Sequence, residues 1–180
     1  MSQNIKFRST TILGVRIGKR IAIGGDGQVT LGDIKMKSKA VKVRSFDDGR
    51  VLAGFAGAAA DAMALFEKFE GKLDETRGNL QRAVVELAKE WRTDKILREL
   101  DALLAIMDDK QSYLLSGSGD VIEPDDHLIS IGSGSGYALS AARAFIKSGE
   151  KNPKKIVEEA MKITADICIY TNHNITILEA

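Results

Sequence analysis

Two adjacent threonines, Thr10 and Thr11, stand directly before a strand-like run, Ile12-Leu13-Gly14-Val15-Arg16-Ile17. A threonine hydroxyl is a weak nucleophile until a base takes its proton. A chain-terminal threonine carries that base itself, an α-amine with a pKa of about 7.7–8.0. Thr10 is not the first residue here, but Met1–Ser9 are few and polar. Their removal would expose nucleophile and base together. Asp26 follows in Gly24-Gly25-Asp26-Gly27-Gln28 and Lys42 in Val41-Lys42-Val43-Arg44. A lysine ammonium beside the threonine disfavours protonation of the amine and stabilises an alkoxide. A buried lysine needs a partner, and Asp26 is the acid available.

Each of these residues has a plainer reading. Thr10 and Thr11 are β-branched and could simply begin a strand. Asp26 could be a turn residue among permissive glycines. Alternation over 41–44 puts Lys42 and Arg44 on one face and Val41 and Val43 on the other, which a solvated outer face also explains. Gly54, in Leu52-Ala53-Gly54-Phe55-Ala56-Gly57, either admits a close neighbour or offers its N–H to an oxyanion. Ser133, in Gly132–Gly136, either belongs to a tight turn or presents a hydroxyl at a helix start.

Other chemistries fit less well. The run Gly132–Gly136 fails as a dinucleotide fingerprint, because Tyr137 stands where the third glycine belongs. Gly14–Lys19 is one residue short of a Walker A motif, and Arg20 replaces its Ser/Thr. His127, His173 and Cys168 lack the spacing of a metal site. A Cys168–His173 dyad has little to support it, since Cys168 is expected in the apolar part of a helix as an inert thiol.

The 180 residues are 44% hydrophobic, enough for one core, and carry a net charge of +1. That balance removes the electrostatic case for a nucleic-acid or membrane-surface partner. A single cysteine leaves no intrachain disulfide and points to a reducing compartment, so a cytoplasmic location is expected. Met1–Ser9 has no apolar core of a secretory signal, and no stretch reaches the ~20 apolar residues of a membrane span. The expected organisation is a removable extension, residues 1–9, and a single domain over 10–180.

Period-two patterns predict strands over 11–17, 20–24, 41–46, 51–56, 102–107, 112–116, 127–132 and 175–178. Helical stripes run through Ala62, Leu65, Phe66, Phe69 and Leu73, and through Leu80, Ala83, Val84, Leu87 and Trp91. A third helix is expected over 137–147. A fourth opens at Pro153 and carries Ile156, Ala160, Ile163, Ile167 and Tyr170. Hairpin-joined strands with helices grouped in pairs predict an α+β fold, a four-layer α/β/β/α sandwich.

The segments TTILGVR, GGDGQVTLG, KAVKVR, VLAGFAGAAADAMALFEKFE, SGSGDVIEPDD, ISIGSGSGYALSAARA and ADICIYTNHNI occur in this order. The chain thereby resembles the proteasome-type N-terminal nucleophile hydrolases, and among them the HslV (ClpQ) family of bacterial ATP-dependent HslUV proteases. The resemblance runs from Thr10 almost to the C-terminus. It implies the same sandwich, with Thr10 as mature N-terminus and nucleophile. It implies Asp26 and Lys42 as the charged pair beside it, Ser133 near the amine and Gly54 as oxyanion donor. Thr30 is implied as the residue whose backbone pairs with an extended substrate. The backbone carbonyls of Ala165, Cys168 and Thr171 are implied as ligands of a sodium ion, with Ala165 where glycine is common.

No organic cofactor is implied, and ATP would be used by the partner. The implied assembly is two stacked hexameric rings, fed unfolded proteins by an HslU-type AAA+ ATPase. Two features depart from the family pattern. The extension is longer than the lone methionine of some members, and Ser9 rather than glycine precedes the nucleophile. Two other readings stay open: a ring subunit without activity, and an N-terminal nucleophile hydrolase of small amides.

Overall fold

Two antiparallel sheets lie at the centre of the computed structural model, which describes residues 7–8, 10–57, 59–95, 97–100 and 102–180. The strands are β1 (Phe7–Arg8), β2 (Thr11–Ile17), β3 (Arg20–Asp26), β4 (Val29–Leu31), β5 (Ile34–Lys37), β6 (Val43–Phe46) and β7 (Val51–Gly57). They continue with β8 (Ala102–Met107), β9 (Ser112–Ser116), β10 (Val121–Ile122), β11 (Leu128–Gly132) and β12 (Ile175–Glu179). Helices α1 (Ala59–Glu75) and α2 (Leu80–Thr93) follow β7, and α3 (Ser135–Lys147) and α4 (Pro153–Ile167) follow β11. One sheet has the order β11-β2-β3-β12, the other β10-β9-β8-β7-β6, and a small third sheet has the order β1-β4-β5.

Strand alternation sorts the apolar side chains into three layers of core. Ile12, Ile21 and Ile23 meet Leu52, Ala105 and Met107 between the two large sheets. The neighbouring residues Leu13, Val15 and Ala22 point the other way, onto Ala138, Ala142, Ile156, Val157 and Ala160 of α3 and α4. Ala53, Phe55, Leu104 and Ile106 face α1 and α2, where Phe69, Leu87 and Trp91 are wholly buried. Helices, sheet, sheet and helices therefore stack in four layers, as the sequence predicts.

Local signals set the helix starts. Asn79 caps α2 by accepting the Arg82 N–H at 3.0 Å. Asn152 caps α4 in the same way, and Pro153 stands in its first turn.

Several boundaries differ from the sequence pattern. Strand β6 begins at Val43, so the alternation expected over 41–44 is broken. Val41 is 67% exposed, while Lys42 and Val43 are both buried. Helix α4 ends at Ile167, leaving Cys168 as its C-cap rather than inside the helix, and Tyr170 lies beyond it. Ile163 and Ile167 are exposed, and the buried stripe runs instead through Ile156, Val157, Ala160, Met161 and Thr164. The short hairpin β4–β5 has no counterpart in the expected strands. Its second strand alternates Ile34-Lys35-Met36-Lys37 over only four residues, and all four are exposed, so neither face is buried. Of the extension, Phe7 and Arg8 are described; residues 1–6 and 9 lie outside the described residues.

Candidate active site

Thr11 opens β2, a central strand of its sheet, Thr10 stands directly before it, and both are buried. The end of β3 brings Asp26 beside them, because β2 and β3 are antiparallel and Ile12 pairs with Gly25. Asp26 has no exposed surface. Its Oδ1 accepts the Thr11 N–H at 2.8 Å and the Lys42 ammonium at 3.1 Å. Its Oδ2 accepts the N–H groups of Gln28 at 2.9 Å and Asn172 at 3.3 Å. Both carboxylate oxygens are thus used in full by donors, as a buried charge requires.

Lys42 is 3% exposed and also donates to the Gln28 carbonyl at 2.6 Å. Burial pushes its ammonium below the ordinary lysine range, and the charge and hydrogen bond of Asp26 pull it part of the way back. The inward-facing lysine is therefore the reading that holds, and the solvated-face alternative falls.

The turn between β11 and α3 supplies the opposite wall. Ser133 donates its N–H to the Thr10 carbonyl at 2.8 Å, and its side chain is exposed. Gly134 donates its N–H to Thr11 Oγ1 at 3.0 Å. Both flanking glycines are required by contact. A Cβ on Gly132 would sit 1.9 Å from the Thr10 carbonyl oxygen, and one on Gly134 would sit 2.3 Å from Thr11 Oγ1. Gly132 also has φ of 92°, a conformation that favours glycine.

The turn after α4 closes the site. Thr171 Oγ1 lies 2.6 Å from Thr11 Oγ1, and both residues are buried. Asn172 accepts the Gly27 N–H at 3.2 Å and donates to the Ser38 carbonyl at 3.0 Å, tying this turn to the loops on either side of β4–β5. Gln28 reaches Thr30 Oγ1 at 3.1 Å and the Ile169 carbonyl at 2.8 Å. Gln28, Asn172, the hydroxyl of Thr171 and the bonds that Thr11 makes to Asp26, Thr171 and Gly134 are what the sequence reading missed. Residue type alone gave no signal for them, because their neighbours in sequence are mixed or polar and only the fold shows that these amides and hydroxyls are buried and partnered.

Gly54 lies within β7, paired with Val43 of β6 and Ala105 of β8. A Cβ there would stand 2.6 Å from Ile12 Cγ2, so close packing of the two sheets already requires glycine. Thr30 is buried in β4, where Arg8 of β1 pairs with it and Phe7 pairs with Leu31, antiparallel. Cys168 is a buried free thiol. His173 contacts Asp166 at 3.1 Å rather than the cysteine. Among the described residues no cluster of His, Cys, Asp and Glu could hold a metal ion, and no helix is long and apolar enough to cross a membrane.

The sequence profile of the proteasome subunit family matches residues 6–180. Among solved structures, eukaryotic HslV from Trypanosoma brucei is 44% identical, with a TM-score of 0.89 over 94% of this chain and 98% of that one. A Thiobacillus denitrificans protein, BPH, has a TM-score of 0.72 at 20% identity, over 94% of this chain and 97% of that one, a likeness of fold alone.

Proposed function

The chain belongs to the proteasome subunit family and is a threonine peptidase subunit similar to HslV; from that premise we propose that Thr10 becomes its N-terminal nucleophile and cuts peptide bonds of unfolded proteins. The observation that carries this reading is the bonded set Thr11–Asp26–Lys42 at the head of β2, with the chain's own Phe7–Arg8 laid antiparallel on β4. An extended peptide already fits beside Thr30 and leads towards Thr10, which is how a substrate strand would enter by β-augmentation.

Maturation proceeds by attack of Thr10 Oγ on the Ser9 carbonyl. The Oγ–C bond forms, the Ser9–Thr10 C–N bond breaks, and the released nitrogen takes the hydroxyl proton. Water then hydrolyses the ester and leaves Met1–Ser9 with a free carboxylate. In turnover the free amine accepts the Oγ proton and the same oxygen attacks a substrate carbonyl; the peptide C–N bond breaks as its nitrogen takes that proton, and water then hydrolyses the ester and restores the hydroxyl. Lys42 stays charged and keeps the amine neutral, and Asp26 holds Lys42. Ser133 borders the amine. The oxyanion is met by a backbone N–H of β7, and the family resemblance assigns it to Gly54.

The sodium reading fits the donor chemistry. Helix α4 ends at Ile167, where the Cys168 N–H closes on the Thr164 carbonyl at 2.8 Å, and the Cys168 carbonyl accepts the Thr171 N–H at 2.9 Å with a lone pair to spare. Ala165, Cys168 and Thr171 offer backbone oxygens, which suit a hard monovalent ion. Bound there, sodium would brace the turn that carries Thr171 and Asn172. Further parts of the proposal are a homo-oligomer of two stacked hexameric rings in the cytoplasm and an HslU-type ATPase that delivers substrate.

Purified protein assayed on a fluorogenic peptide, on an unfolded protein and on a panel of small amides tests the reading. Cleavage of the first two, lost in Thr10→Ala, is expected. Turnover confined to small amides would favour the amidohydrolase reading, and none at all the inactive ring subunit.

A further inference from the structure

The surface carries opposite chemistry on two flanks. On hairpin β4–β5 and the loop after it, Ile34, Met36 and Val41 are 64%, 59% and 67% exposed. Exposed Lys35, Lys37 and Lys39 alternate with them. On β10 and its continuation, Val121 and Ile122 are 37% and 53% exposed, and Glu123, Asp125 and Asp126 follow, also exposed. Asp126 is paired with Arg143 at 2.7 Å. Among the described residues no ion pair engages Lys35, Lys37, Lys39, Glu123 or Asp125, although ion pairs are common elsewhere on this surface.

Both segments are also strand edges. β10 is the outer strand of the five-stranded sheet, and β5 is the outer strand of the small sheet. Exposed apolar edges invite pairing with another chain. From β5 the chain runs through residues 38–42 directly into β6, the opposite outer strand of the five-stranded sheet. β10 and β6 are therefore separated by four strand spacings, about 19 Å. One copy does not bring its basic hairpin onto its own acidic segment.

We propose that the basic, apolar hairpin β4–β5 of one copy docks on the acidic, apolar segment 121–126 of the next, an inference that rests on the homo-oligomeric reading above. The contact is head to tail, and repeated with rotation it closes a ring. The hairpin also carries Thr30, so the neighbour braces the strand on which an extended substrate lies.

Charge reversal tests this with four full-length proteins at equal concentration and moderate salt, measured by sedimentation velocity. They are wild type, Lys35→Glu/Lys37→Glu, Glu123→Lys/Asp125→Lys, and the combination of all four substitutions. All four sites are exposed, and circular dichroism checks that each variant stays folded. The expected result is a large wild-type species, its loss in each double variant, and its return in the combination. A wild-type assembly untouched by either reversal overturns this interface and leaves the oligomeric reading standing. Loss without return in the combination also overturns the pairing. A monomeric wild type overturns the oligomeric reading and this inference with it.

Discussion

Asp26 Oδ1 receives the Thr11 N–H at 2.8 Å and the Lys42 ammonium at 3.1 Å. One oxygen thus joins the buried ammonium to the backbone directly after Thr10, the proposed nucleophile. Electrostatics and geometry at this site are not separable, and substitutions at either end disturb both.

Lys42→Ala removes the cation from a carboxylate with no exposed surface. Breaking one end of a buried pair costs about 3–5 kcal/mol, so thermal stability falls along with activity. Turnover should drop at least ~10²–10³-fold, the scale of losing an oriented electrostatic group. Peptidase assays at a temperature where the variant is folded check this. Retained turnover would remove Lys42 from the mechanism.

The pH profile follows from the direction of the Lys42 shift. Its ammonium lies below the ordinary value of 10.5, chiefly through burial. Activity requires the charged form, so turnover falls on the alkaline side before pH 10.5 is reached. Asp26→Asn removes the groups that hold the pKa up, and the alkaline limb moves to lower pH. The stability effect has its own sign. Between the folded pKa and 10.5 the unfolded chain binds the proton that the folded chain has released, so Lys42 makes stability rise with pH across that window. An alkaline limb that stays in place in Asp26→Asn would assign it to another group.

The hydroxyl pair Thr11–Thr171 holds the residue next to the proposed nucleophile, Thr10. Thr171→Val keeps shape and carbonyl but takes one hydroxyl from a buried pair, at a cost of about 1–3 kcal/mol. We expect kcat to fall with KM nearly unchanged on a short peptide, and Thr171→Ser to restore it. Full activity in the valine variant, or loss in the serine variant alone, would mean that the methyl group, not the hydroxyl, matters.

Gly132→Ala places a Cβ 1.9 Å from the Thr10 carbonyl oxygen, at a φ of 92°. The turn must shift, and with it the Ser133 N–H that holds Thr10. Loss of activity with the far core intact is expected, read by peptidase assay beside the fluorescence of buried Trp91. A fully active alanine variant would show that this turn does not position the nucleophile.

The layered fold was legible because alternate residues of β2 and β7 go to different cores, and helix stripes such as Leu80–Trp91 are long and regular. Hairpin β4–β5 was not, since its strands are only three and four residues long and the alternation of Ile34-Lys35-Met36-Lys37 faces no core. Thr10, Asp26 and Lys42 could be picked from residue type and order. The inward turn of Lys42 depends on where β6 begins, and local alternation does not encode that. Thr171 lies 160 residues from Thr11, and only the fold brings those hydroxyls together.

The measurement that tests the central claim most directly is the intact mass of the purified protein, with N-terminal sequencing, for wild type and Thr10→Ala. Loss of Met1–Ser9 in wild type, a new terminus at Thr10 and retention of the extension in the variant are predicted. Retention in both proteins would leave Thr10 without a free amine and contradict the assignment of Thr10 as the N-terminal nucleophile.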